Sequence, residues 1–155
     1  MGLFSKKITM VSPCDGDYLA LENVNDPVFS KGLVGVGFAV RPRTGTILSP
    51  VEGEVTMVFP TGHAFGVQDK KGMEYLVHMG IDTVSLKGEG FQTVVKPGQF
   101  IKKGELVSVM DLDLIQSKGL GTEVLVLVTN HKDIHIQDGL SQVQAGEEIA
   151  KLEHV

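Results

Sequence analysis

Two histidines, His63 and His78, anchor the stretch of this chain whose residue types and spacing carry the most chemistry. The run Pro60-Thr61-Gly62-His63-Ala64-Phe65-Gly66-Val67-Gln68 leads into Asp69-Lys70-Lys71-Gly72 and then Met73-Glu74-Tyr75-Leu76-Val77-His78-Met79-Gly80. The middle four residues have the composition of a hairpin loop. A four-residue loop sets Gln68 opposite Met73, and counting back along both strands brings His63 directly opposite His78. Opposed residues of an antiparallel pair have Cβ atoms roughly 4.5–5.5 Å apart, so two such imidazoles can hold one small anion or ion between them. A slip of one residue would send them to opposite faces. The neighbours Phe59, Phe65, Leu76, Met79 and Ile81 are apolar, which favours the neutral, nucleophilic imidazole. Such a site suits covalent catalysis or metal binding.

The elements that must position this pair are short. Apolar segments rich in Val, Ile and Phe are punctuated by Ser49-Pro50, Gly62, Gly72, Pro97-Gly98 and Gly104, which reads as all-β. One brief helix is expected over 111–118, stopped by Gly119-Leu120-Gly121. Two internal echoes refine the class: Ser12-Pro13-Cys14-Asp15-Gly16-Asp17 recurs as Ser49-Pro50-Val51-Glu52-Gly53-Glu54, and Val95, Gly98, Ile101 and Lys103 recur in spacing as Val143, Gly146, Ile149 and Lys151. They predict a compact antiparallel β-sandwich or barrel built from a duplicated, interleaved (hybrid) β motif with minor short helices. Residues 1–8 read as a tail and 9–155 as one domain, a length able to bury a core without disulfides or a structural metal.

Composition sets the compartment and excludes some functions. Cys14 is the single cysteine and has no internal partner for a disulfide; no apolar run is long enough for a signal sequence or a membrane span. Gly2 lacks the Ser or Thr that a myristoylation motif wants at the position of Lys6. A cytoplasmic location is expected. The net charge of -5 argues against nucleic-acid binding, which needs cations along the phosphate backbone. A basic protein partner is compatible with it.

The residues Thr61-Gly62-His63-Ala64-Phe65, together with Val77-His78-Met79-Gly80-Ile81-Asp82-Thr83-Val84-Ser85-Leu86-Lys87-Gly88-Glu89-Gly90-Phe91, resemble the paired signature of glucose-family enzyme IIA domains of the bacterial phosphoenolpyruvate-dependent sugar phosphotransferase system. The resemblance runs on through Asp26-Pro27-Val28-Phe29, Val34-Gly35-Val36-Gly37, Ser49-Pro50-Val51-Glu52-Gly53 and Gly98-Gln99. It implies a phosphotransferase component that works through a phosphohistidine. His78 would accept the phosphoryl group on Nε2, and His63 would donate a hydrogen bond to the phosphoryl oxygens. Thr61 would fix the tautomer of His63, and the backbone of Gly80 would anchor Nδ1 of His78. The donor is implied to be the histidine-containing phosphocarrier protein, and the acceptor a cysteine on the IIB domain of a sugar permease. The membrane is met only through that permease. Asp26 and Asp82 would face the donor's positive charge, within a docking rim of Val28, Phe29, Val34, Phe59, Phe65 and Val84. No cofactor and no ATP site are expected, no metal is required although His63 and His78 are possible adventitious zinc ligands, and the subunit is expected to be a monomer. One departure stands out: Val36 occupies the place between Gly35 and Gly37 where the family carries Asp, which puts one acidic contact near the site in question.

Two other readings compete. A lysostaphin-like zinc metallopeptidase could use His63, His78 and Asp82 as ligands, but no His-x-His pair completes its site. A biotinyl or lipoyl carrier is suggested by the turn-like run Val95-Lys96-Pro97-Gly98-Gln99-Phe100-Ile101-Lys102-Lys103-Gly104 and by the hairpin lysines Lys70 and Lys71, but no Met-Lys-Met is present. His131 and His135 have helical chelating spacing, yet Lys132 stands where a metalloprotease motif needs Glu. His154 carries no signal, and Gly35-Val36-Gly37 lacks the third glycine of a dinucleotide fingerprint.

Overall fold

A computed structural model describes residues 6–154. Its strands are β1 (Lys6–Val11), β2 (Gly16–Ala20), β3 (Val36–Pro42), β4 (Thr46–Leu48), β5 (Gly53–Val58), β6 (Ala64–Gln68), β7 (Glu74–Ile81), β8 (Phe91–Thr93), β9 (Phe100–Ile101), β10 (Leu106–Met110), β11 (Gly121–Val128), β12 (His135–Ile136), β13 (Gln142–Val143) and β14 (Glu148–His154). They form an eight-stranded sheet in the order β13-β2-β3-β11-β7-β6-β5-β9 and two three-stranded sheets, β1-β14-β12 and β4-β10-β8. The strand pairs are antiparallel, as the short, turn-punctuated segments predict. β1 begins at Lys6 and pairs through Lys7 and Ile8 with β14. Ile8 packs against the core.

Helices are minor. α2 (Leu112–Ser117) falls inside the expected segment; the Asp111 side chain accepts from the Leu114 amide to cap it, and Gly119 follows at φ +75°. α1 (Pro27–Ser30) was not anticipated, although Asp26 as N-cap and Pro27 in the first turn are the usual start signals.

Period-two alternation divides the large sheet between two apolar clusters. Phe38, Val40, Phe65, Val67, Tyr75, Val77, Met79, Val124 and Val126 turn into the larger one, which the small sheets help cover, while Ala39, Leu76, Leu125 and Leu127 belong to a smaller one completed by Val24, Ile81, Phe29 and Val34. His78 follows Leu76 by two positions along β7 and so shares the face of the smaller cluster.

The sequence echoes correspond to a repeated brace. In Lys96-Pro97-Gly98-Gln99 and Gln144-Ala145-Gly146-Glu147 the fourth side chain accepts from the first amide. The glycine sits at φ +88° in both, a conformation that a Cβ disfavours. The glycine amide and the next carbonyl then clasp one residue of a neighbouring segment: Val55 in the first copy, Ser12 in the second. A third copy, Lys102-Lys103-Gly104-Glu105, clasps Ser49 in the same way. The two Ser-Pro segments also bond each other, Val11 to Pro50 and Leu48 to Pro13, so the halves of the motif interlock rather than follow one another.

Candidate functional site

His78 stands on β7 between Ala64 of β6 and Leu125 of β11. The small Ala64 leaves room for the ring, and Phe29 of α1 tilts over it with ring centroids 4.9 Å apart. Asp26 holds that phenylalanine in place, its Oδ1 accepting from the amides of Val28 (2.9 Å) and Phe29 (3.2 Å). His63 is 2% exposed and meets Phe59 edge to face at 5.1 Å. The two imidazoles lie 5.0 Å apart, nearly perpendicular.

This proximity has a different origin from the one the hairpin count suggests. Pairing begins at Gln68 and Glu74, one residue later than a four-residue loop allows, so Ala64 and not His63 faces His78. The cause lies in the loop. Asp69 accepts from the amides of Lys71 and Met73 and from the Tyr75 hydroxyl, and Met73, whose carbonyl accepts from the Asp69 amide, turns its side chain into the core. On strict alternation such a slip separates the histidines. They meet because His63 precedes β6 and follows Gly62, whose φ of +71° closes a tight turn on Phe59. Alternation does not govern its side chain.

Each ring has a fixed Nδ1. That of His78 lies 2.9 Å from the Gly80 carbonyl oxygen; a carbonyl only accepts, so Nδ1 carries the proton and Nε2 keeps its lone pair. That of His63 lies 2.5 Å from Thr61 Oγ1. Burial pushes His78 below the usual histidine range, while the Gly80 bond and then the charges of Asp26 and Asp82 pull it part of the way back. Burial, and secondly the charge of His78, push His63 down to about 4. Both rings are neutral at pH 7.

A depressed histidine has a consequence for stability. Folded His63 takes up its proton only near pH 4, an unperturbed histidine near 6.5, so the unfolded chain binds more protons between those values and stability is lost as pH falls through that window. The urea midpoint of the wild type is expected to drop between pH 6.5 and 4 more steeply than that of His63→Gln, and parallel curves would contradict this.

The remaining candidates separate into two groups. Val28 (47% exposed) and Val84 (56% exposed) are open to solvent, Val34 and Phe29 are half-buried on the smaller cluster, and Asp82 is exposed. Phe65 is a correction: it is 0% exposed and packs in the larger cluster, because β6 turns it away from the His78 face. Val36 also packs against that larger cluster. The flanking Gly35 and Gly37 are needed for close approach: a Cβ on Gly37 would stand 1.9 Å from the Val126 carbonyl oxygen. Among the described residues, no group of three or more His, Cys, Asp or Glu side chains is gathered to hold a metal ion. His135 lies on β12 rather than a helix. Lys70 and Lys71 do occupy the hairpin loop, with Lys70 5.9 Å over the Phe100 ring.

Sequence reading missed the hydroxyls behind the site. Thr83 is fully buried and donates from Oγ1 to the Met79 carbonyl at 2.6 Å. Thr93 donates to the Gly62 carbonyl at 2.6 Å and bonds Ser108 at 2.9 Å, bracing the turn before His63. Thr83 lies within the signature run, but nothing in a sequence announces the Thr93 and Ser108 contacts.

The fold is an antiparallel β-sandwich that sets an imidazole pair between Phe29 and Phe59. The model for the phosphoenolpyruvate-dependent sugar phosphotransferase system, EIIA 1, matches residues 8–134, and the chain belongs to that family. It is similar to the glucose-specific EIIA component of Staphylococcus epidermidis, 40% identical with 86% of this chain and 82% of that one covered. It is also similar to the glucose-specific EIIA component of Mycoplasma capricolum, 36% identical over 98% and 99% of the two chains. The glucose-specific EIICBA component of Streptococcus pneumoniae is 49% identical over 77% of this chain, which spans 16% of that longer relative. The solved glucose permease IIA of Mycoplasma capricolum superposes with a TM-score of 0.91 at 35% identity, covering 97% of this chain and 99% of that one. The glucose-family resemblance and the all-β sandwich expected from sequence are both borne out. No helix among the described residues is long and apolar enough to cross a membrane.

Proposed function

We propose that this protein is a cytoplasmic phosphoryl carrier of glucose uptake: His78 accepts a phosphoryl group from the histidine-containing phosphocarrier protein and passes it to a cysteine on the IIB domain of a permease. The observation that carries this reading is the free Nε2 lone pair of His78, set by the Gly80 carbonyl, beside a second neutral imidazole.

In the first step the Nε2 lone pair forms a bond to phosphorus as the bond to the donor's histidine breaks, and the donor ring leaves with that electron pair. Transfer of this kind needs alignment and charge stabilisation more than covalent help from the protein. Thr61, donating its hydroxyl proton to Nδ1 of His63, leaves the proton of that ring on Nε2, where it can bond a phosphoryl oxygen. In the second step a thiolate takes the phosphorus and His78 returns to its neutral Nδ1–H form. Phe29 and Phe59 flank the rings and exclude water, which protects a labile phosphohistidine from hydrolysis. The name of the Streptococcus pneumoniae relative joins the C, B and A components, which fits a IIB partner.

Asp26 and Asp82 place negative charge beside an apolar rim of Val28, Val34 and Val84, and such charges mainly speed encounter with a basic partner. The test is transfer in two stages. The protein should gain acid-labile phosphate from the phosphorylated donor and lose it on adding a glucose permease IIB domain. Asp82→Asn should slow the first stage at low salt and match the wild type at high salt. A protein that takes no label sinks the carrier role; equal rates for Asp82→Asn at low salt sink the electrostatic docking alone.

A further inference from the structure

The Gly80 carbonyl that holds His78 points back at a residue two positions earlier, which an extended strand does not do. The reversal needs two left-handed residues within three, Gly80 at φ +83° and Asp82 at φ 60°. An aspartate in that region is uncommon and persists where its surroundings fix it. Thr83 supplies the fixing contacts. Its Oγ1 donates to the Met79 carbonyl at 2.6 Å, closing the loop from 79 to 83. Its methyl fills the space behind Gly80: a Cβ built there would stand 2.3 Å from Thr83 Cγ2. The side chain is 0% exposed, so neither contact is shared with water.

We propose that Thr83 is the positioning residue for His78: the hydroxyl closes the loop, the methyl wedges Gly80, and together they keep the Gly80 carbonyl on Nδ1 so that the lone pair stays on Nε2. Without the clip the carbonyl can swing away, Nδ1–H loses its acceptor, and the neutral ring divides between two tautomers. The Nε2–H form has no lone pair with which to attack phosphorus. The inference rests on His78 being the phosphoryl acceptor, but its tautomer can be read without any transfer.

Thr83→Val keeps the shape and removes the hydroxyl, whereas Thr83→Ser keeps the hydroxyl and removes the methyl. Nitrogen-15 NMR of labelled protein reports the tautomer, and phosphoryl acceptance from the phosphorylated donor reports the rate. The wild type is expected to show the Nδ1–H form alone, and Thr83→Val both forms with acceptance slowed about 10–100-fold, the size of loss seen when an outer partner that orients a metal-bound histidine is removed. Thr83→Ser should recover most of the tautomer and rate. Thr83→Cys, similar in size but a weak donor, should shift the tautomer as the valine does if the valine protein does not fold. A single Nδ1–H tautomer and wild-type rate in Thr83→Val, or in Thr83→Cys in its place, would overturn the proposal. A shifted tautomer in a chain that takes no label even as wild type leaves the positioning standing and defeats the carrier reading instead.

Discussion

His78→Gln protein is expected to take no phosphoryl group from the phosphorylated donor at any concentration, while His63→Gln protein is still labelled. The difference is one of kind. Glutamine at 78 offers no nucleophilic lone pair in place of Nε2, and His63 does not substitute, since its Nδ1 is occupied by Thr61 and it lies on a separate turn. On the proposed roles, replacing His63 removes one hydrogen-bond donor to the group in transfer and leaves the nucleophile with its own Gly80 anchor. Loss of one such donor costs about 2.7–4 kcal/mol of transition-state stabilisation, or roughly 10²–10³ in rate. The loss should appear in onward transfer to the permease cysteine, where the phosphoryl group leaves His78. Radiolabel followed through both stages checks this. Fast labelling of His78→Gln with an unlabelled His63→Gln would reverse the two roles.

The second large effect is expected at Gly80, and it should strike folding and chemistry together. At φ +83° an L side chain is strained, which costs about 1–3 kcal/mol. An alanine Cβ would also stand 2.3 Å from the Thr83 methyl and 2.9 Å from the Gly121 carbonyl oxygen. Thr83 cannot turn aside without releasing Met79, and overpacking of this kind costs about 1–3 kcal/mol more. Gly80→Ala should therefore lower the urea midpoint markedly. In the fraction that folds, the displaced carbonyl should free Nδ1 of His78 and slow phosphoryl acceptance. An unchanged midpoint with normal acceptance would show that the carbonyl does not anchor the ring.

Much of this molecule was legible in the residue string, for reasons that differ from place to place. The β class follows from turn residues between short Val- and Ile-rich runs, and tertiary contacts do not alter such a signal. The signature runs around His63 and His78 located the histidines, and Gly80 and Thr61 stand within bonding distance of their rings. Hairpin counting failed by one residue because it treats a loop as empty chain, whereas Asp69 organises this one and the core claims Met73. Phe65 was misplaced because a motif gives neighbours in sequence, not the face of a sheet. The echo at Val95 and Val143 marked two braces; the third, at Gly104, makes the same clasp on Ser49 but lies outside that echo. α1 holds four residues, too few for any periodic signal. The bonds of Thr93 to Gly62 and Ser108 cross strands distant in sequence and leave no local trace.

The central claim is that one nitrogen of one residue carries the phosphoryl group, and phosphorylated, nitrogen-15-labelled protein tests it most directly. After incubation with phosphoenolpyruvate and the donor proteins, nitrogen and phosphorus NMR should show a single modified imidazole, His78, phosphorylated at Nε2 and protonated at Nδ1, with the His63 ring unmodified. Phosphate on Nδ1 of His78, on His63, or on any other residue would contradict the account.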